Sequence, residues 1–296
     1  MKTLEIIKAL RMNYKNWISL GLGLRFGRKI KLKAVLRSGE SYDLQKNYFW
    51  AIIPLLNKGM DVKQITENLL KDRIPYKGHL VIIHGWISEN NQNNGDIFDV
   101  YIKDEYNFLN VQDKDVLDIG GSIGDSAIYF AINGARKVIS LEPYPYSFNY
   151  AVRNINENGF GEKIVFLNGG YGKDSEIVVD EEIVSADYMA LQESKIGRKI
   201  RTYSLKLLVK EFNLENAILK MDCEGCEYNL VNEDRNVLDK FSQVLIEYHY
   251  GTQRLVEKLI NCGFSVKYTH PKKHFDPDSK EPKMLGYIYA TNLRQS

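Results

Sequence analysis

At 296 residues, 44% hydrophobic and 26% charged, the chain is long and apolar enough to bury one substantial core and a smaller one, so a soluble globular protein is expected. Net charge is only +2, yet residues 1–37 carry ten Lys or Arg against the single Glu5, which makes this segment +9 and the remainder −7. The apolar run at residues 17–24, interrupted by Ser19, Gly21 and Gly23, is too short to span a bilayer, and three cysteines argue against a disulfide framework; cytoplasmic residence in a reducing compartment is the expectation.

Leu4, Ile7, Leu10, Tyr14, Trp17 and Ile18 recur at helical spacing beside basic residues. Such a helix suits the surface of an anionic membrane; nucleic-acid phosphate is the other obvious anion, and packing of the stripe on the rest of the protein is the third reading. Residues 29–37 alternate, turn at Ser38-Gly39 and continue through residues 41–44, the pattern of a β-hairpin. Helices are predicted over residues 45–56 and, capped by Asp61, over 62–71, with a short strand at 79–83. The polar run at 89–96 has no periodicity and marks a boundary between an N-terminal α+β accessory region, 1–95, and a catalytic domain, 96–296.

Beyond that boundary strands and helices alternate. Strands are predicted at 115–119, 137–141, 163–167, 217–221, 243–248, 264–269 and 285–291, with helices between the first six. This is a Rossmann-like, doubly wound, seven-stranded and mostly parallel α/β sheet, closed by an antiparallel last pair. Sites in such sheets form at the carboxyl ends of the parallel strands, which singles out Asp118, Glu142, Asn168, Asp222 and His249.

The first of those ends reads Asp118-Ile119-Gly120-Gly121-Ser122-Ile123-Gly124, followed by a second strand that ends in Glu142. Strand, glycine loop, helix, strand and acid hold an adenosine cofactor, with Glu142 placed to accept from both ribose hydroxyls. A dinucleotide fingerprint wants glycines one, three and six, but Ser122 and Asp125 stand at the later two places counted from Gly120. Asp118 and Asp125 would also repel a pyrophosphate, whereas S-adenosylmethionine brings an ammonium and a sulfonium that carboxylates attract.

The second dense feature, Lys220-Met221-Asp222-Cys223-Glu224-Gly225-Cys226-Glu227, crowds three carboxylates into six residues at a strand end. Such crowding is costly unless a cation or proton is managed there. Asp-x-Gly-x-x-x-Gly at 118–124, Glu142-Pro143 and Lys220-Met221-Asp222-x-Glu224-Gly225-x-Glu227 together resemble the FkbM family of class I S-adenosylmethionine-dependent methyltransferases, over roughly residues 96–269. The resemblance implies methylation of a hydroxyl oxygen on a saccharide or other natural product. By position, it implies that Asp118, Gly120, Gly121, Ser122, Gly124 and Glu142 hold the cofactor and that Asn168 and Gly169 lie near its adenine. Asp222, Glu224 and Glu227 would edge the reaction centre. Ser122 stands where the family often has Asn, and Gly169-Gly170 replaces its usual alanine-containing pair.

A neutral alcohol is a poor nucleophile until its proton leaves, so a base or metal is required. Asp222, Glu224 and His249 are the candidate bases; the alternative reading of Asp222 and Glu224 is as Mg²⁺ ligands, but with no further ligand spacing visible a metal-free base is the expectation. Lys220 and Glu227 also have structural readings, as partner of an acid and as stabiliser of a helix N-terminus. Cys223 and Cys226 form a CxxC, but the flanking acids disfavour a low-pKa redox thiol and zinc lacks two further ligands, so the cysteines are expected to fill small positions. The charged loop at 270–283, with Lys272, Lys273 and His274, is a candidate lid over an anionic acceptor. The acceptor classes left open are a small molecule or glycan, and tRNA or rRNA engaged by the basic segment; a non-catalytic binding protein of the same fold is the remaining alternative.

Overall fold

A computed structural model describes residues 3–27, 29, 31–64, 69–86, 94–181, 183, 191–274 and 283–295. The chain divides into two compact units, residues 1–104 and 105–296. Most of the polar run expected to separate two regions lies outside the described residues.

In the first unit, helices α1 (Thr3–Asn13) and α2 (Trp17–Phe26) precede a hairpin of β1 (Lys31–Val35) and β2 (Ser41–Gln45). The predicted continuous first helix is interrupted, because Tyr14 bridges to Leu36 and the Lys15 amide donates to the Val35 carbonyl at 2.7 Å, turning the chain between the two helices. Helix α3 (Lys46–Asn57) follows as expected. The predicted helix at 62–71 is instead β3 (Asp61–Gln64) and the start of β4 (Leu69–Tyr76), which pair antiparallel with each other; β4 pairs in turn with β5 (His79–Trp86). Eight cross-strand partners with β5 fix β4 as a strand, and pairing of this extent overrides a capped helical pattern. Helix α4 (Asn94–Tyr101) ends the unit's regular structure.

The second unit alternates strands and helices: β6 (Asp115–Ile119), α5 (Asp125–Ile132), β7 (Lys137–Glu142), α6 (Pro145–Glu157) and β8 (Ile164–Tyr171). A hairpin of β9 (Ser175–Val179) and β10 (Arg198–Tyr203) leads to α7 (Leu205–Glu211), β11 (Ala217–Met221), the 3-10 helix Cys226–Asn232 and α8 (Arg235–Leu238). Then come β12 (Phe241–Tyr248), α9 (Gln253–Asn261), β13 (Phe264–Tyr268), β14 (Lys272–His274) and β15 (Lys283–Asn292). One sheet runs in the order β13-β15-β12-β11-β6-β7-β8-β10-β9, with β14 on β15. The seven predicted strands are all in it, and β15 is antiparallel to both neighbours as expected; β9, β10 and β14 extend it. The start of the candidate lid is therefore paired strand, while residues 275–282 lie outside the described residues.

Every residue of β6 and β11 is buried, as parallel strands covered on both faces must be. Leu117, Ile119, Leu219, Met221, Val244 and Ile246 form part of one apolar core. Chain order reverses at β6, whose neighbours β7 and β11 leave on opposite sides, so the carboxyl ends of β6 and β11 open a crevice at a switch point.

Candidate functional site

The loop after β6 is held from two sides. Gly120 and Gly121 donate their amides to the Leu141 carbonyl at 3.1 and 2.9 Å, and the Asp222 amide donates to the Ile119 carbonyl at 2.9 Å. Gly120 has φ +85°, and a Cβ there would overlap the Asp222 carbonyl, so only glycine lets the loop press against the turn after β11. A Cβ on Gly121 would collide with Ser140 and Phe166. Gly124 precedes α5 in the left-handed region at φ +81°.

Asp118 is fully buried. Its Oδ2 accepts from the hydroxyls of Ser126 and Ser140, each at 2.8 Å, and its Oδ1 lies 3.0 Å from Lys220 Nζ. Lys220 also donates to the Gly120 carbonyl at 2.7 Å. Burial would lower the Lys220 pKa, but the charges of Asp118 and Asp222 outweigh it and hold the ammonium charged. The structural reading of Lys220 as partner of an acid is thus the observed one. Asp125, in the first turn of α5, is pushed up to about 6 by burial, with Lys220 opposing and Asp118 adding to the shift. Asp118, Asp125 and Asp222 all face the buried Lys220 cation, and the excess negative charge suits a cationic ligand.

The structure alters the expected geometry of the other cofactor-side residues. Glu142 is 3% exposed, and its two oxygens accept from the backbone amides of Ser122 at 3.1 Å and Tyr144 at 2.9 Å, so it braces the glycine loop. Strand β8 continues to Tyr171, so Asn168 and Gly169 lie within it and not just past its end. Asn168 donates to the carbonyls of Glu142 and Pro143 at 3.0 and 2.9 Å, tying β8 to the turn after β7. A Cβ on Gly169 would crowd the Tyr203 ring and the Arg201 carbonyl, a constraint set by β10. Sequence reasoning missed this because β10 was not predicted.

The turn after β11 carries the second group of acids. Glu224 and Gly225 both take positive φ, 58° and 120°, which folds the turn back on itself. Glu227 is fully buried; Oε2 accepts from the Gly225 amide at 2.8 Å, and Oε1 accepts from the His249 amide at 3.2 Å and faces His249 Nδ1 at 2.9 Å. His249, directly after β12, turns Nε2 toward Glu224 Oε2 at 3.3 Å and Asp222 Oδ1 at 4.0 Å. Asp222, Glu224 and His249, predicted separately, are therefore brought together. Burial would lower the His249 pKa, but hydrogen bonds to Glu224 and Glu227 and their charges prevail, raising it from 6.5 to about 11. The imidazole is thus a cation at neutral pH. One ligand atom from each of Asp222, Glu224 and His249 lies within 4.8 Å of the others, a set that could hold a divalent ion only in place of the imidazolium's proton.

Asp222, unlike Asp118, is partly exposed. Burial raises its pKa, while Lys220 and His249 pull it down. Glu247, near the end of β12 and two residues before His249, is raised well above the usual carboxylate value by burial and then by the charge of Asp222. Tyr287 donates to Glu105 at 3.1 Å, and burial followed by the charges of Glu247 and Glu105 raises its phenol. Glu247 was legible from its period-two relation to His249; Tyr287 reaches the site through the pairing of β15 with β12, and Glu105 through its hydrogen bond from Tyr287.

The cysteines correct the sequence reading outright. Cys223 and Cys226 form a disulfide that spans Glu224 and Gly225, and only Cys262 is free among the described residues. The acidic neighbours argue against a low-pKa thiolate, but they do not prevent a covalent clasp once the turn brings the two Cα atoms to 5.4 Å.

Residues 118–266 match the family described as Methyltransferase FkbM domain. An uncharacterized protein, 158B, of Sulfolobus islandicus rod-shaped virus 1 is 30% identical over 154 residues, which cover 52% of this chain and 72% of that one. Among solved structures, M. jannaschii TYW2 in complex with AdoMet is 12% identical, with a TM-score of 0.44 over 78% of this chain and 90% of that chain. M. capricolum TrmK in complex with S-adenosyl-homocysteine is likewise 12% identical, with a TM-score of 0.40 over 64% and 67%.

Proposed function

Because the chain belongs to the FkbM methyltransferase family and its methyl donor is S-adenosylmethionine, we propose that it transfers the methyl group to a hydroxyl of a saccharide or another natural product, with Asp222 as the base. The observation that carries this reading is the direct packing of the Gly120 loop on the Asp222 turn, with Lys220 bonded to Asp118 and to the Gly120 carbonyl. A donor held by the loop and an acceptor at the turn would then share one crevice.

Bound in that crevice, S-adenosylmethionine supplies an electrophilic methyl carbon on a sulfonium. Gly120, Gly121, Ser122 and Gly124 give the loop its close backbone approach, and Glu142 keeps the loop in shape from below. Asp118 acts through Lys220, and Asn168 and Gly169 would form the adenine-side wall. The excess of acids over cations fits the ammonium and sulfonium charges.

On the acceptor side, the Asp222 carboxylate takes the hydroxyl proton as the oxygen attacks, and its raised pKa makes it a stronger base than an exposed aspartate. The imidazolium of His249, held by Glu227, keeps Glu224 in place and offsets the charge of the three acids; it serves as the cation of the cluster and not as the base. That internal cation supports a reaction without metal. Incubation with methyl-tritiated S-adenosylmethionine and separate glycan, small-molecule and RNA fractions tests the acceptor class. Label in alkali-stable methyl ethers of the glycan or small-molecule fraction, unaffected by a chelator, is expected. Label confined to RNA would overturn the acceptor, and loss of transfer on chelation with rescue by Mg²⁺ or Mn²⁺ would overturn the metal-free base.

A further inference from the structure

We propose that α1 and α2 form a docking surface for an anionic lipid bilayer, independent of the chemistry at the Asp222 turn. Six large apolar side chains in the first 26 residues are exposed: Leu4 (77%), Ile7 (43%), Met12 (52%), Ile18 (60%), Leu22 (56%) and Phe26 (70%). Helix α2 carries the clearest signature. Ile18, Leu22 and Phe26 recur every fourth residue along its outer side, while Leu20 and Leu24, on the opposite side, are buried. A helix apolar on both faces is one whose second face is covered by something. At ten residues it spans only about 15 Å, half a bilayer core, so it lies along a membrane and does not cross one.

The charge around these residues selects the occupant. Lys8, Arg11, Lys15, Arg25, Lys29, Lys31, Lys33 and Arg37 are all exposed, and Glu5 is the one acid of residues 1–37. On α1, Leu4, Ile7 and Met12 share a face with Lys8 and Arg11 and, with Arg37, line a shallow cavity of about 500 Å³. An apolar floor with a cationic rim matches acyl chain and anionic headgroup together, the arrangement of an interfacial helix. Nucleic acid would use the cations but leave the Ile18, Leu22 and Phe26 stripe in water, and a second copy of this +9 segment would meet like charge. A chain held this way would meet acceptors carried on the same surface.

Flotation of the full chain with phosphatidylcholine vesicles containing roughly 30% phosphatidylglycerol, against pure phosphatidylcholine, tests this at about 100 mM salt. The expected result is co-flotation with the anionic vesicles only, lost at high salt and reduced about tenfold or more in the Ile18→Ser/Leu22→Ser/Phe26→Ser variant, with its melting curve unchanged. Because these side chains are exposed the variant should fold; Arg25→Glu, expected to weaken flotation about threefold, provides a second arm. Absence of flotation, flotation undiminished in the triple variant, salt-sensitive retention of single-stranded RNA with no flotation, or a dimer abolished by the triple variant in place of vesicle binding would each overturn the proposal. None of these readouts requires methyl transfer, so the outcome is separable from that of the enzymatic reading.

Discussion

Asp118, near the carboxyl end of β6, and Asp222, directly after β11, stand on neighbouring parallel strands, yet their surroundings have made them opposites. Asp118 is sealed from solvent, its Oδ2 accepting from two serine hydroxyls and its Oδ1 ion-paired with Lys220 at 3.0 Å. Asp222 is partly open, accepts no side-chain hydrogen bond among the described residues, lies 4.0 Å from His249 Nε2, and stands beside Glu224 and Glu247. Buried acids whose valences are filled hold a fold together; acids left short of donors are available for chemistry. The same residue type in two similar motifs thus divides into scaffold and reagent, and sequence alone does not assign which is which.

The contrast breaks most sharply at Lys220. Lys220→Met would leave Asp118 as an uncompensated buried charge, and an equilibrium urea titration should show a loss of about 3–5 kcal/mol. A loss below about 1 kcal/mol would mean the pair does not anchor the loop. Next in size is Asp222→Asn, expected to slow methyl transfer about 10²–10⁴-fold with stability unchanged or improved, read from tritium transfer and a thermal melt. Reduction of the Cys223–Cys226 bond, or Cys223→Ser/Cys226→Ser, removes a short loop closure and should cost about 1–2 kcal/mol while loosening the Glu224 turn; denaturation with and without a dithiol reductant measures it.

The last of these tests is one of pH. His249 has its folded pKa raised from 6.5 to about 11, so the stability it contributes is fully present below about 6.5 and is lost as pH rises through about 11. Over this window the folded protein should keep its imidazolium: side-chain nitrogen shifts of His249 should stay those of the protonated ring between about pH 7 and 9, and a midpoint near 6.5 would contradict the Glu224–His249–Glu227 arrangement.

The sequence made the strands β6, β7, β11 and β12 legible because each is a short apolar run ending in a polar residue at the carboxyl end of a parallel strand. It failed where pairing, not local pattern, decides. Asp61 followed by an amphipathic stretch imitates a capped helix, yet β3 and β4 are strands through their partners. Ile177, Val179 and Ile200 lie in strands whose other positions are largely polar, so the β9–β10 hairpin left little signal; its consequence is that Gly169 answers to Tyr203. The Asp222, Glu224 and His249 cluster was foreseeable from strand ends, but the protonated state of His249 required Glu227 and Glu224 on both sides of the ring. The disulfide required the positive-φ turn at Glu224 and Gly225, which spacing alone does not reveal.

Calorimetric titration of S-adenosylhomocysteine into the unmodified chain, Asp118→Asn and Asp222→Asn tests the division between the two acids without knowledge of the acceptor. The account predicts that the unmodified chain binds, that Asp118→Asn weakens binding by about tenfold or more through the disturbed Lys220–Gly120 contact, and that Asp222→Asn changes affinity by less than about threefold. Undiminished affinity in Asp118→Asn together with a large loss in Asp222→Asn would contradict it.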